Sequence, residues 1–314
     1  MNGGKLFVGI FLMALLVGLA GCNKDDNSSS SSSAAYSHSE DYLASVSWED
    51  GSPISSESIT YSKGEDIDLV LNVENHGPTI IPKNKILFRL LGEASQEFEF
   101  KGGKAAIHPK EDIDAYDFAI DKVYAASVDL PTIRYNGDTP VKLSKTIEAA
   151  YCYESPVKVK TKIVFTDQEE EIPGGTTGNQ INTGDNPSAD VKVITLQQSP
   201  IKVRKGKEAT LDFYITISNV GGGDIRDGLS NCFDYTKPSH KEQLSFNVQG
   251  PYTVDCGDKN INLVDGEKQI KCTMKGIKTS AIDDKERNLI ITLEDFAYRK
   301  EVSPVTIWIE GDNS

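Results

Sequence analysis

The side chains in this sequence best placed to do chemistry are five cysteines: Cys22, Cys152, Cys232, Cys256 and Cys272. Cys22 stands apart from the others. It closes a Leu19-Ala20-Gly21-Cys22 tetrapeptide behind the apolar stretch Leu6 to Ala20, so its thiol is a nucleophile preceded by small residues. Cys256 and Cys272 lie 16 residues apart, one after Tyr252-Thr253-Val254-Asp255 and one in a strand-like run after Asp265-Gly266. That hairpin-like spacing predicts a disulfide, which closes a loop worth roughly 3 kcal/mol in the chain-entropy treatment. Cys232 is then either free or bonded to Cys152, because four cysteines allow several connectivities and the sequence does not choose among them. The separations of 80, 24 and 16 lack the paired short spacings of a zinc centre, and no metal is expected.

Other chemistry is thin. The histidines His38, His76, His108 and His240 are far apart, and HExxH, CxxC, GxSxG and P-loop patterns do not occur. The run Glu111-Asp112-Ile113-Asp114-Ala115-Tyr116-Asp117 alternates carboxylates on what reads as a strand, Asp112 to Ile120. Calcium requires several oxygens converging on one point, and without the Gly turn of an EF-hand the run reads as a solvated strand face. Catalytic residues and cofactors are therefore not expected, and the chain reads as a non-enzyme. One irregular stretch, Leu229 to Gln249, gathers Phe233, Tyr235 and His240 in polar surroundings. Loops on β-frameworks carry recognition, so these three residues form a candidate binding loop. The competing reading is that Cys232 and the aromatics pin the loop to the sheet beneath.

The elements around these residues follow from composition. Lys5 precedes the apolar stretch LFVGIFLMALLVGLA, which is short for a membrane span of about 20 residues and reads as a secretory signal. The Leu19-Ala20-Gly21-Cys22 ending resembles the lipobox of prokaryotic lipoproteins. That resemblance implies cleavage after residue 21, diacylation of the Cys22 thiol, and location at the extracytoplasmic face of a cell membrane. Residues 22–38 are Ser-rich and read as a tether; about 13 such residues reach roughly 20 Å. Secretion also places the remaining cysteines where disulfides persist.

Beyond the tether the pattern is β, with short alternating runs rich in Val, Ile, Thr and aromatics. The stretch TDQEEEIPGGTTGNQINTGDNPS reads as a linker over 167–188, dividing 39–166 from 189–311. The two parts repeat one plan. Tyr61-Ser62-Lys63-Gly64-Glu65-Asp66, an alternating run from Ile67 to Val73 and Glu74-Asn75-His76-Gly77 match Val203-Arg204-Lys205-Gly206-Lys207-Glu208, the run Ala209 to Ile217 and Ser218-Asn219-Val220-Gly221-Gly222-Gly223. At the far ends, Thr146 to Tyr153 leading into Val157 to Phe165 aligns with Ile291 to Tyr298 leading into Val302 to Ile309, and both read as hairpins. These turn signatures resemble CARDB-type immunoglobulin-like domains of prokaryotic, above all archaeal, surface proteins. The resemblance implies sandwiches with binding or spacing roles and no shared catalytic residues. Asn75-His76-Gly77-Pro78 departs from the pattern, since a Pro there suggests a rigid turn leaving the sheet.

The fold class expected is thus all-β, two tandem immunoglobulin-like β-sandwich domains after a signal peptide (1–21) and a disordered tether. The net charge of −14 argues against a nucleic-acid partner. The partners expected are the membrane, through lipid on Cys22, and a surface protein or glycan. The rival readings are a carbohydrate-binding accessory or envelope enzyme, and a structural subunit that assembles through edge strands.

Overall fold

A computed structural model describes residues 44–92, 97–101, 106–117, 119–154, 156–172, 179–180, 189–203, 208–234 and 243–311. The expected signal, tether and lipidation residue Cys22 lie outside these residues. The fold is all-β, with antiparallel sheets and no helix of seven or more residues among the described residues. No helix there is long and apolar enough to cross a membrane.

Twenty strands follow one another among the described residues. They are β1 (Ala44–Trp48), β2 (Asp66–Ile67), β3 (Val70–Asn75), β4 (Ile86–Leu91), β5 (Phe98–Phe100), β6 (Ala106–Ile107) and β7 (Ala125–Asp129). Next come β8 (Ile133–Tyr135), β9 (Leu143–Glu154), β10 (Val157–Phe165), β11 (Asn179–Gln180), β12 (Val191–Gln198), β13 (Ala209–Asn219) and β14 (Asp224–Arg226). The last are β15 (Gln243–Gln249), β16 (Thr253–Asp255), β17 (Asn260–Asn262), β18 (Glu267–Ile277), β19 (Lys285–Glu294) and β20 (Ala297–Ile309). The period-2 alternation of the sequence is what builds them. In β13, Ala209, Leu211, Phe213, Ile215 and Ile217 are buried and their neighbours mostly face outward.

The repeat is visible in two matching sheets. β3 is flanked by β1 and β7, and β13 by β12 and β18. Each central strand ends in an Asn that closes the following turn. Asn75 Nδ2 donates to Thr79 O (2.8 Å) and Asn219 Nδ2 to Gly223 O (2.7 Å), both four residues on. Asp265 (φ 56°) and Gly266 (φ 80°) give the tight turn into β18 that the Asp-Gly pair predicts.

The two expected hairpins are not hairpins, and the difference organises the molecule. β9 does not pair with β10, nor β19 with β20. Instead β20 pairs with β9, from Ala297↔Glu154 to Ile309↔Leu143, within the sheet β14-β20-β9-β4-β6. β10 pairs with β19, from Val157↔Leu293 to Phe165↔Lys285, within β10-β19-β15-β17. Each repeat thus gives its last strand to the other. The reason lies in the two-residue links. A type I′ two-residue hairpin needs positive φ at both central residues; Pro156 holds φ near −65° in the first link, and in the second Asp295 has φ 58° but Phe296 is buried rather than at a turn tip. Pro304, which lacks a donor, lies where the β20–β9 register shifts between Val302 and Val305.

The expected division at 167–188 therefore does not divide the sheets. Strands from 39–166 and from 189–311 share two of them, and His38–Ser314 forms one compact unit. Among the described residues of 112–120 the expected strand is also absent. Ile113 makes a single bridge to Ile81, and Asp117 one to Lys122. This segment leaves the sheet, as a carboxylate every second residue leaves few apolar side chains to bury.

Candidate functional site

The seam where the repeats exchange strands holds most of the unusual chemistry. Two disulfides form. Cys256 joins Cys272 with Cα atoms 4.0 Å apart, and Cys152 on β9 joins Cys232, 80 residues on, with Cα atoms 6.3 Å apart. The second bond ties the 229–234 segment to β9. Around it Ala150, Cys152, Cys232, Phe233 and Ala297 form a small buried cluster of their own.

Phe233 belongs to this staple. It is 8% exposed, the Arg89 guanidinium lies over its ring at 5.6 Å, and Arg89 Nη1 donates to its carbonyl (3.4 Å). An exposed recognition ring at this position is thereby corrected: the disulfide beside it and the cation above it hold Phe233 against β4 and β9. Tyr235 and His240 lie outside the described residues, as does the tip of the expected binding loop.

Beside the staple sits a charge cluster. Asp224 on β14 is the register partner of Arg299 on β20. Its Oδ2 accepts from Arg226 Nη2 (2.9 Å) and Arg299 Nη1 (3.2 Å), while Arg299 Nη2 donates to Glu301 (2.7 Å). Both arginine side chains are buried, at 1% and 7% exposure. Next to them Lys300 Nζ lies 3.8 Å from the buried Asp190 carboxylate. Burial pushes the Lys300 ammonium below its ordinary range, and Asp190 opposes part of that shift. Tyr298 Oη donates to Asn219 (2.8 Å) and accepts from Gly223 N (2.5 Å). The Gly221-Gly222-Gly223 run has a packing reason here. A Cβ on Gly221 would collide with Asp190 and Tyr298, and one on Gly223 with the Arg299 carbonyl. These guanidinium groups hold carboxylates of the same fold, so the cluster reads as an ionic clasp between β14 and β20, both strands of the second repeat. A cavity of about 10 Å³ under Tyr153, Asp190 and Tyr298 has room for one water and no larger ligand.

One grouping resembles a catalytic relay and is not one. Ser45 and Glu74 are register partners on β1 and β3, and both meet His76. Ser45 Oγ lies 3.1 Å, and Glu74 Oε2 3.4 Å, from the same ring nitrogen, Nε2. A relay needs the nucleophile on one nitrogen and the orienting carboxylate on the other. Nothing in the sequence announces this cluster, because strand register alone creates it. Among the described residues no group of three or more His, Cys, Asp or Glu is arranged to hold a metal ion.

A further surface feature is the outer face of the four-stranded sheet β10-β19-β15-β17. Alternation turns Lys158, Lys160 and Lys162 outward from the edge strand β10. Across the sheet they head rows. Lys158 is opposite Thr292, which is opposite Asn247; Lys160 is opposite Ile290, which is opposite Gln249. Further on, Ser245 Oγ donates to Asn260 Oδ1 (3.3 Å). Lys162 is bonded to Glu286 (2.6 Å), whereas Lys158 and Lys160 make no ion pair among the described residues. The backbone of β10 is capped beyond them. The Gln198 amide donates to Val164 O and accepts from Val164 N, both at 2.8 Å.

No protein-family model matches the chain, and a search of curated proteins finds none that is similar.

Proposed function

We propose that this chain is a lipid-anchored protein of the extracytoplasmic membrane face, non-catalytic, which binds or spaces partners at the cell surface. The pair of disulfides is the observation that supports it most. Disulfides persist where the environment is oxidising, and a compact all-β fold stapled by two of them suits a secreted chain. The Leu19-Ala20-Gly21-Cys22 ending, the Ser-rich run after it and the matching Asn75 and Asn219 turn closures support the lipoprotein and CARDB-type readings. Two acyl chains give stable attachment where one gives only marginal binding. Assembly through edge strands is less favoured. The long edge strand β10 carries three outward lysines, a device that discourages strand-to-strand association.

Intact mass of membrane-purified protein tests the anchor. The expected result is loss of residues 1–21, added acyl mass on Cys22, and release or arrested processing in Cys22→Ser. Unacylated soluble protein that begins elsewhere overturns it.

A further inference from the structure

We propose that the outer face of β10-β19-β15-β17 binds a carboxylate-bearing polysaccharide, a proposal that rests on the extracytoplasmic reading above. The chain carries 47 Asp and Glu against 33 Lys and Arg, so its surface as a whole repels polyanions. The two rows headed by Lys158 and Lys160 carry ammonium groups and no carboxylate. Alternate residues of one strand stand about 6.8 Å apart, so these two cations form a short stripe along the sheet edge. The nearest carboxylate along β19 is exposed Glu294, one row beyond Lys158 on the same face, while Glu286 on the other side is bonded to Lys162.

The rest of the face sets the class of partner. Asn247, Gln249, Asn260 and Thr292 offer amides and a hydroxyl, each able to donate and to accept. The four strands span about 14 Å at the usual strand spacing. Hydroxyl-rich chains are recognised by such groups, and a carboxylate on each sugar meets the lysines. A protein partner is less well served, because interface anchors are aromatic or large apolar groups and this face offers only half-buried Ile290. A bilayer surface is also less well served, since nothing apolar projects to enter it.

Affinity electrophoresis of the detergent-solubilised full-length protein through gels containing polygalacturonate tests the proposal. The fully methyl-esterified polymer serves as the neutral control. The expected result is retardation by the acid polymer only, weakening as salt is added. Lys158→Glu with Lys160→Glu should reduce affinity about tenfold or more. Lys268→Glu with Lys278→Glu, an equal charge change at exposed positions outside this sheet, should leave most of the retardation. Asn247→Ala with Gln249→Ala should weaken binding without changing its salt dependence. Matched thermal melts of the variants exclude unfolding as the cause. No retardation, equal loss in both lysine pairs, or lysine-dependent binding to anionic vesicles with none to the polymer overturns the proposal. Location is read separately by the Cys22→Ser fractionation, so failure of the anchor and failure of this face are distinguishable.

Discussion

Cutting the chain between Ile172 and Ala189 should not release two independent folded parts. The exchange of β10 and β20 sets the size of the effect. β10 buries Val157, Val159, Ile163 and Phe165 in the sheet completed by β19, and β20 buries Tyr298, Val302, Ile307 and Ile309 beside β9. At roughly 1.5–3 kcal/mol for each buried large side chain, these eight contribute about 12–24 kcal/mol. Association of separate pieces costs an estimated 4–15 kcal/mol, and a whole domain is stable by only about 5–15 kcal/mol. A protease site inserted within 173–178, cut and then reduced to open Cys152–Cys232, is the direct assay. The fragments should stay together on gel filtration and melt in one transition. Each half expressed alone should lack a cooperative melt. Fragments that part after reduction, each with β-type circular dichroism and its own sharp melt, would refute the reasoning and restore two self-contained sandwiches.

Other consequences follow from single residues. Cys152→Ala with Cys232→Ala opens a loop of 80 residues, worth about 4.5 kcal/mol in the chain-entropy treatment, against about 3 kcal/mol for Cys256 and Cys272. Urea melts should show the larger loss for the first pair, and the reverse order would contradict the staple. Asp224→Asn leaves Arg226 and Arg299 short of their shared carboxylate. Because Asp224 is 44% exposed, the cost should be about 1–3 kcal/mol, below that of a fully buried pair; an unchanged melting temperature would mean the clasp is idle. Burial alone would raise the Asp212 carboxyl, but bonds from Thr273, Lys271 and Lys202 hold it below the ordinary value. Its stabilisation is therefore present above the unfolded pKa of about 3.9 and lost as pH falls through the lower folded value. Asp212→Asn should cost about 1–2 kcal/mol at pH 6 and much less near pH 2.5. A cost that does not shrink with acid would exclude this origin.

The sequence carried local structure well and strand partners poorly. Alternation at Ala209 to Ile217 and the Asp265-Gly266 turn are readable because each depends on a few neighbouring residues. The spacing of Cys256 and Cys272 was readable for the same reason. The repeat was legible too, down to the asparagines that close matching turns. What was not legible was which strand each edge meets. Val157 to Phe165 presents the same alternation whether it pairs with β9 or with β19. The one local hint lay in Pro156, whose fixed φ disfavours a type I′ turn at the first link. The Cys152–Cys232 bond and the buried arginines depend on that long-range pairing, so local pattern cannot show them. Phe233 illustrates the same limit: the sequence offered both an exposed ring and one pinned beside Cys232, and the choice waits on a distant Arg89 placed above it.

Peptide mapping of membrane-purified protein under non-reducing conditions tests the account most directly, because one bond reports both the exchanged fold and the oxidising location. Expected are peptides with Cys152 joined to Cys232 and Cys256 joined to Cys272, with Cys22 acylated and outside either bridge. Free Cys152 and Cys232 thiols, alkylated without reduction, or a bond from Cys152 to any other cysteine, would contradict it.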